Sequence, residues 1–379
     1  MPNNNNVSDS VSSPLRVAVV LGHWQNYGVE TLTLNLYRNI DKNRVQFDFV
    51  ICETPNSDIP VDEIESLGGR VYIVPTYSKV IKYVETLKHL FASNDYSIVH
   101  CHMSTLNVFP LFAAKCASVP VRISHVHTMA GKGEYLKNIL KYSLRLFSLD
   151  NATNYATSSM MAGRWFFRGK VSDSDMFYLP VARDIEKFQF NPSVRTAKRS
   201  ELGVENKFVI GHLGRFVPQK NHSFIVELFN QYHRRCPDSV LVLAGDGPLV
   251  DDTLKQVESC GLQECVLYLG RRSDAAELYQ AFDVFVLPSL YEGVPGTGIE
   301  AQAAGLPFLF ADTITSEAKI LPSSNRLPLD DMDQWLDALD GSRRAERRDS
   351  LKQMVDAGYS IKDAATRLSD YYESLAAQL

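Results

Sequence analysis

The stretch Leu287-Pro-Ser-Leu-Tyr-Glu-Gly-Val-Pro-Gly-Thr-Gly-Ile-Glu-Ala-Gln-Ala-Ala-Gly-Leu-Pro307 decides how the rest of the chain is read. The apolar run Val284–Leu287 reads as a buried strand, and a loop holding Glu292 follows it. A helix then begins near Gly296 and stops at Gly305, with Pro307 beyond as a further stop signal. A helix N-terminus in this position is a seat for an anion. The backbone N–H groups of Gly296, Thr297 and Gly298 have no partners within the helix, the dipole presents its positive end, and small residues let a phosphate approach. Glu300, one turn on, points the same way and accepts two hydroxyl hydrogen bonds, as a ribose diol requires. Glu292 offers the same chemistry to a sugar. The alternative is a tight turn followed by a surface glutamate.

Outward from this stretch, short β-branched runs alternate with helical patterns along most of the chain. In the first half the strand candidates are Arg16–Leu21, Gln46–Ile51, Arg70–Val74, Ile98–Cys101, Val121–His125 and Asn154–Ala156, separated by helical stretches such as Val80–Phe91 and Tyr135–Phe147. After a break with two prolines near Leu179–Pro192, strands resume at Phe208–Leu213, Val240–Ala244, Cys265–Leu269, Val284–Leu287 and Pro307–Phe310. Near-continuous apolar strands alternating with helices imply parallel sheets with right-handed crossovers. The expected architecture is α/β: two doubly wound sheets that face each other across a cleft at their strands' carboxyl ends. A chain of 379 residues with 45% apolar and 22% charged residues has material for two such cores.

Three further segments fall at strand ends. In Val209-Ile-Gly-His-Leu-Gly-Arg-Phe-Val-Pro-Gln-Lys-Asn-His222, Arg215 and Lys220 follow a strand, and Asn221 or Ser223 is placed to cap the next helix. Two cations there suit a diphosphate, one bidentate and one a point charge, and would neutralise a leaving diphosphate without a metal. Exposed loops also carry such pairs without function. In Leu21-Gly-His-Trp-Gln-Asn-Tyr-Gly-Val-Glu-Thr31, Gly28 opens a helix after the first strand, with Tyr27 before it; neither P-loop nor dinucleotide glycine spacing is present. An ordinary strand-to-helix turn reads equally well. In Arg122-Ile-Ser-His-Val-His-Thr128, alternation puts His125 and His127 on one side of the strand. With no acidic or cysteine partner in the segment, contact with a sugar or acceptor fits better than metal ligation.

Together these segments resemble the retaining GT-B glycosyltransferases of family 4, the group with two glutamates separated by seven residues, and within it bacterial exopolysaccharide and capsule members. The resemblance runs from about Arg16 to Leu375 and is densest in Gly211–Asn221, Gly245-Asp-Gly-Pro-Leu249 and Arg271–Pro307. It implies that Arg215 and Lys220 hold a nucleotide-sugar diphosphate, that Glu300 holds its ribose and Glu292 its sugar, and that the Gly296–Thr297 amides support the phosphates. Arg271 and Arg272 would sit against the base, and His127 near the reacting sugar, with Gly28 on the donor side and His125 and Tyr27 on the acceptor side. It further implies retention of anomeric configuration, a UDP-sugar donor of hexose type, no metal or other cofactor, and a glycan or lipid-linked acceptor in surface polysaccharide assembly. The implied division is a leader at 1–14, an acceptor-side domain at 15–183, a nucleotide-sugar domain at 184–360, and a last helix, 361–379, returning to the first domain. Three departures stand out: Tyr27-Gly28 where the family has two glycines, Pro180-Val-Ala-Arg-Asp184 where it has Pro-Asn-Gly-x-Asp, and an unusually small Gly-Thr-Gly between the glutamates. The first would narrow the phosphate approach or stack on a sugar, the second would stiffen the hinge, and the third would change the sugar preferred.

The charge of −5 and a pI near 6.0 argue against nucleic-acid binding. Six scattered cysteines read as reduced thiols, and no apolar stretch approaches the roughly 20 residues that span a bilayer. The expected place is the cytoplasm, with peripheral contact at the inner face of the plasma membrane. Lys137, Lys141 and Arg145 form a basic strip beside Leu136, Ile139, Leu140, Leu144 and Phe147, which suits an interfacial helix or an ordinary packed one. A metal-dependent transferase would need Asp173-Ser-Asp175 or Asp331-Met-Asp333 at a strand end; both read instead as solvated acids. An epimerase on the same scaffold, or a subunit that binds nucleotide sugar without turnover, are the other readings.

Overall fold

The computed structural model describes residues 13–25, 28–55, 57–127 and 135–379, so residues 1–12 of the expected leader, and Tyr27, lie outside it. Seven strands form the first sheet: β1 (Leu15–His23), β2 (Val45–Cys52), β3 (Arg70–Val74), β4 (Ile98–Cys101), β5 (Val121–Val126), β6 (Asn154–Thr157) and β7 (Met176–Tyr178). Their order is β3-β2-β1-β4-β5-β6-β7. Six form the second: β8 (Phe208–Leu213), β9 (Ser239–Ala244), β10 (Val266–Tyr268), β11 (Val284–Leu287), β12 (Phe308–Ala311) and β13 (Asn325–Leu327), in the order β10-β9-β8-β11-β12-β13. All the pairings are parallel. Strands β2, β4, β8, β9, β11 and β12 are buried at every position, because helices cover both faces.

The strand order reverses between β1 and β4 in the first sheet and between β8 and β11 in the second. Crevices for ligands open at such switch points, outside the carboxyl ends of the strands. The two edge strands β7 and β13 were not anticipated; three residues at an edge carry too little pattern to stand out.

The last helix, Ile361–Ala376, belongs to the first domain. Its Ile361, Ala364, Leu368 and Tyr372 share one core with Val17, Val19, Phe47 and Phe49, and Arg44 pairs with Asp370 and Glu373 at its rim. The chain therefore crosses between domains twice, and the crossings are joined. Arg183 N donates to Tyr359 O at 2.8 Å, and Ile361 N donates to Arg183 O at 2.9 Å. The junction is a short parallel bridge, Arg183 to Ser360.

All six cysteines are free, and among the described residues no helix is long and apolar enough to cross a membrane. Asn221 does not cap the helix His222–Arg235: it adopts a left-handed conformation (φ 58°), and its side chain donates to Pro288 O instead. Ser223 lies inside that helix. Asp173 pairs with Arg164, and Asp331 caps the helix Met332–Arg343.

Candidate active site

A cavity of about 640 Å³ lies between the two sheets. It is lined from the second domain by Arg215, Lys220, Arg271, Arg272, Glu292, Gly296, Thr297 and Glu300, and from the first by Gly28, Val29, Leu32 and His127. Two loops build its floor. The loop after β8 and the loop after β11 are stitched by Leu290 N to Gln219 O at 2.8 Å, Gln219 Nε2 to Tyr291 O at 2.9 Å, and the Asn221 contact. This brings Lys220 Nζ against Glu292 Oε1, which also accepts from Ser289 Oγ at 3.2 Å. Both side chains of the pair are mostly buried. Gly245 makes the close packing possible: at φ +142°, a Cβ there would stand 1.9 Å from Gly214 O.

The helix Gly296–Ala303 points its N-terminus into the cavity, and Glu300 follows one turn behind. Its Oε1 accepts from Arg183 Nε at 3.3 Å and its Oε2 lies 3.1 Å from the Tyr279 hydroxyl. Burial raises the Glu300 pKa, and Arg183 and Tyr279 oppose that rise. Arg183 comes from the domain junction and reaches over the first residue of the helix. A Cβ on Gly296 would meet its Nη2 at 2.2 Å, and a Cβ on Gly298 would meet the Phe308 ring at 2.5 Å. The small Gly-Thr-Gly run thus makes room for a guanidinium on one side and a core ring on the other.

Across the cavity, Gly28 begins the helix Gly28–Asn39. His127 presents its ring beside it with both nitrogens engaged: Ser158 Oγ lies 2.8 Å from Nδ1, and His102 Nδ1 lies 3.1 Å from Nε2.

Residues 27–180 match the family model described as Glycosyltransferase Family 4, and residues 194–325 match the one described as Glycosyl transferases group 1. EpsF of Bacillus subtilis (strain 168) is 35% identical over 374 residues, 95% of this chain and 97% of that one. The chain belongs to the family 4 glycosyltransferases. A UDP-Gal:alpha-D-GlcNAc-diphosphoundecaprenol alpha-1,3-galactosyltransferase of Escherichia coli is 26% identical, covering 91% of this chain and 93% of its own. Among solved structures, Anabaena Alr3699/HepE in complex with UDP and glucose superposes with a TM-score of 0.73 at 16% identity, over 96% of this chain and 99% of that one. The likeness confirms the GT-B fold.

Within this glycosyltransferase the residues named from the second domain converge on one cavity, and Gly28 and His127 close it from the other side. One placement differs from expectation. His125 is fully buried, hydrogen-bonded to His100 and Ser158, so an acceptor has no path to it. Arg272 lines the cavity as expected and is held there by Asp274 at 2.6 Å, and its guanidinium pulls the Asp274 pKa down. Tyr27 falls outside the described residues. Arg183 is the site residue that motif reading missed. It was visible only as a departure at the junction, and its partner Glu300 lies 117 residues away.

Proposed function

We propose that the enzyme transfers a hexose-type sugar, with retention and without a metal, from a nucleotide-diphosphate sugar to a glycan or lipid-linked acceptor in bacterial surface polysaccharide assembly. One observation carries this reading: Arg215 and Lys220 share a cavity with the N-terminus of the helix Gly296–Ala303 and with Glu300. That set matches a diphosphate flanked by a ribose diol. UDP is the nucleotide favoured, because the galactosyltransferase of Escherichia coli is named for UDP-Gal and the Anabaena structure holds UDP.

In this reading the ribose diol takes the Glu300 carboxylate, and the Gly296 and Thr297 amides and the two cations take the phosphates. As the bond from the anomeric carbon to the phosphate oxygen breaks, negative charge grows on the diphosphate. Arg215 and Lys220 stabilise that charge where it develops. The acceptor hydroxyl attacks from the same face, and its proton passes to the departing phosphate oxygen. Glu292, tethered by Lys220 and Ser289, holds sugar hydroxyls in place, and closure of the domains excludes water.

The same reading gives the acceptor a membrane. The helix Tyr135–Arg145 leaves Ile139 65% and Leu140 55% exposed, and its Leu144 lines an apolar groove with the exposed Ile81, Phe112 and Phe147. Lys141 and Arg145 lie on the same helix, Arg145 over the Tyr142 and Trp165 rings, and an apolar surface on a basic helix suits an anionic bilayer face carrying a lipid-linked sugar. Co-sedimentation with anionic vesicles tests this contact.

The donor is tested by thermal stabilisation across a panel of nucleotide-diphosphate sugars, with and without EDTA. A ligand at 100 times its Kd adds about 2.7 kcal/mol. One UDP-sugar standing out, unaffected by EDTA, is the expected result; no shift with any donor overturns the reading.

A further inference from the structure

Four histidines form a two-by-two array behind the first-domain wall of the cleft. His100 and His102 alternate along β4 and its exit, His125 and His127 along β5 and its exit, and the period of two sends all four rings to one face of the sheet. Along each strand the ring centroids lie 4.1 Å apart, stacked for His125 and His127 and tilted by 34° for His100 and His102. Across the strands they meet edge to edge. His100 Nε2 lies 3.1 Å from His125 Nδ1, and His127 Nε2 lies 3.1 Å from His102 Nδ1. Two hydroxyls complete the series. Tyr372 of the C-terminal helix places its oxygen 2.6 Å from His100 Nδ1, and Ser158 Oγ bridges His125 Nε2 at 3.1 Å and His127 Nδ1 at 2.8 Å. The line runs Tyr372, His100, His125, Ser158, His127, His102, and it enters each ring at Nδ1.

Proton counting gives this line one direction. A neutral imidazole carries one proton, so each nitrogen–nitrogen contact has one donor and one acceptor. Burial keeps the rings neutral: it holds His102 and His125 well below their ordinary pKa and brings His100 and His127 down to about 3. Burial also raises Tyr372 well above its ordinary value, so the phenol keeps its proton. Among the described residues, the acceptor in reach of that hydroxyl is His100 Nδ1. Tyr372 therefore donates, His100 and His125 carry their protons on Nε2, and the Ser158 hydroxyl donates to His127 Nδ1. His127 is left with its proton on Nε2. The reverse direction strands the Tyr372 proton in the core, and two halves converging on Ser158 strand the serine proton.

We infer that Tyr372 and Ser158 are positioning residues for His127, fixing it as the neutral Nε2–H tautomer so that it meets the donor sugar as a hydrogen-bond donor and not as a base. That N–H rests on His102 Nδ1. A sugar hydroxyl or phosphate oxygen arriving beside the ring competes for it. The consequence for catalysis rests on the cleft being the donor site; the tautomer itself does not. The array also gives the returning C-terminal helix a task at the cleft, since its Tyr372 starts the line. Nitrogens of His100, His102 and His125 come within 4.8 Å of one another, but both ring nitrogens of His100 and of His125 are already hydrogen-bonded.

The test is nitrogen NMR of protein labelled with 15N-histidine, which reads the protonated nitrogen of each ring without substrate. The expected spectrum shows the four rings neutral and protonated on Nε2. Tyr372→Phe keeps the ring that packs on Phe47 but removes the starting donor, so His127 should become a mixture of tautomers. With the donor found above, kcat should fall about 10-fold or more, while KM changes little, as expected when a ring takes the wrong tautomer. Ser158→Ala should act alike and Ser158→Thr, which keeps the hydroxyl, should restore the native spectrum; this pair carries the test if Tyr372→Phe fails to fold. His127 protonated on Nδ1 in the native protein, unchanged tautomers in both folded variants, or stoichiometric metal with metal-shifted nitrogens would overturn the inference. Native tautomers as expected with no donor binding would overturn the donor reading and leave this one standing.

Discussion

Gly296→Ala probes the contact between the domain junction and Glu300, the proposed ribose ligand. The added Cβ would lie 2.2 Å from Arg183 Nη2, 2.9 Å from Cζ and 3.1 Å from Nε. A guanidinium is the far end of a flexible side chain, so it moves, and its Nε contact with Glu300 at 3.3 Å is lost. A hydrogen bond between charged groups is worth about 1.5–3 kcal/mol, and both side chains are largely buried. Alanine in place of glycine near a helix start returns up to about 1 kcal/mol. Gly296→Ala should therefore cost about 1–2 kcal/mol with Arg183 present and become neutral or stabilising beside Arg183→Ala, a coupling of about 2 kcal/mol. Thermal unfolding of the four proteins in the cycle reads this directly, since 1 kcal/mol moves Tm by about 2–4 °C in a domain of this size. Equal costs in both backgrounds, within about 0.5 kcal/mol, would refute the placement of Arg183 over the helix.

Lys220→Ala should lower kcat by about 100–1000-fold, the loss seen when one donor to a developing oxyanion is removed, with a smaller change in donor Kd. Turnover within a few-fold of native would remove Lys220 from the diphosphate. Donor affinity should weaken as pH falls through the Glu300 pKa, which burial has raised, because the ribose needs the carboxylate as acceptor. Calorimetry of Glu300→Gln should show weaker binding that is flat across the same window; an unchanged acid limb would assign the titration elsewhere. The histidine array should make the fold acid-sensitive. His100 and His127 take up protons near 6.5 when unfolded and only near 3 when folded, so stability is lost as pH falls from the first value towards the second. A constant Tm between those values would contradict neutral rings.

Buried strands were legible because both sheet faces are covered and their apolar runs are continuous; Ile98–Cys101, Phe208–Leu213 and Val284–Leu287 were read to the residue, as was the edge strand Arg70–Val74. The edge strands β7 and β13 were not, having three residues each. The second-domain site was legible because it sits in two contiguous loops, each fixed by a strand end and a helix start. What stayed hidden is what the fold assembles from distant pieces. Arg183 reaches Glu300 across the domain junction, and Tyr372 reaches His100 over 272 residues. One signal was available: His100-Cys-His102 and His125-Val-His127 share a period of two on candidate parallel strands. Neighbouring strands with that pattern bring four rings together, and only the strand order, β4 beside β5, was missing.

The most direct measurement is the anomeric configuration, by proton NMR, of the glycoside formed from a UDP-sugar and a diphosphate-lipid-linked sugar acceptor in the presence of EDTA. The account predicts product with the donor's own configuration, formed at full rate without divalent metal and abolished by Arg215→Ala with Lys220→Ala. An inverted product, or product that appears only when a divalent cation is restored, would contradict it.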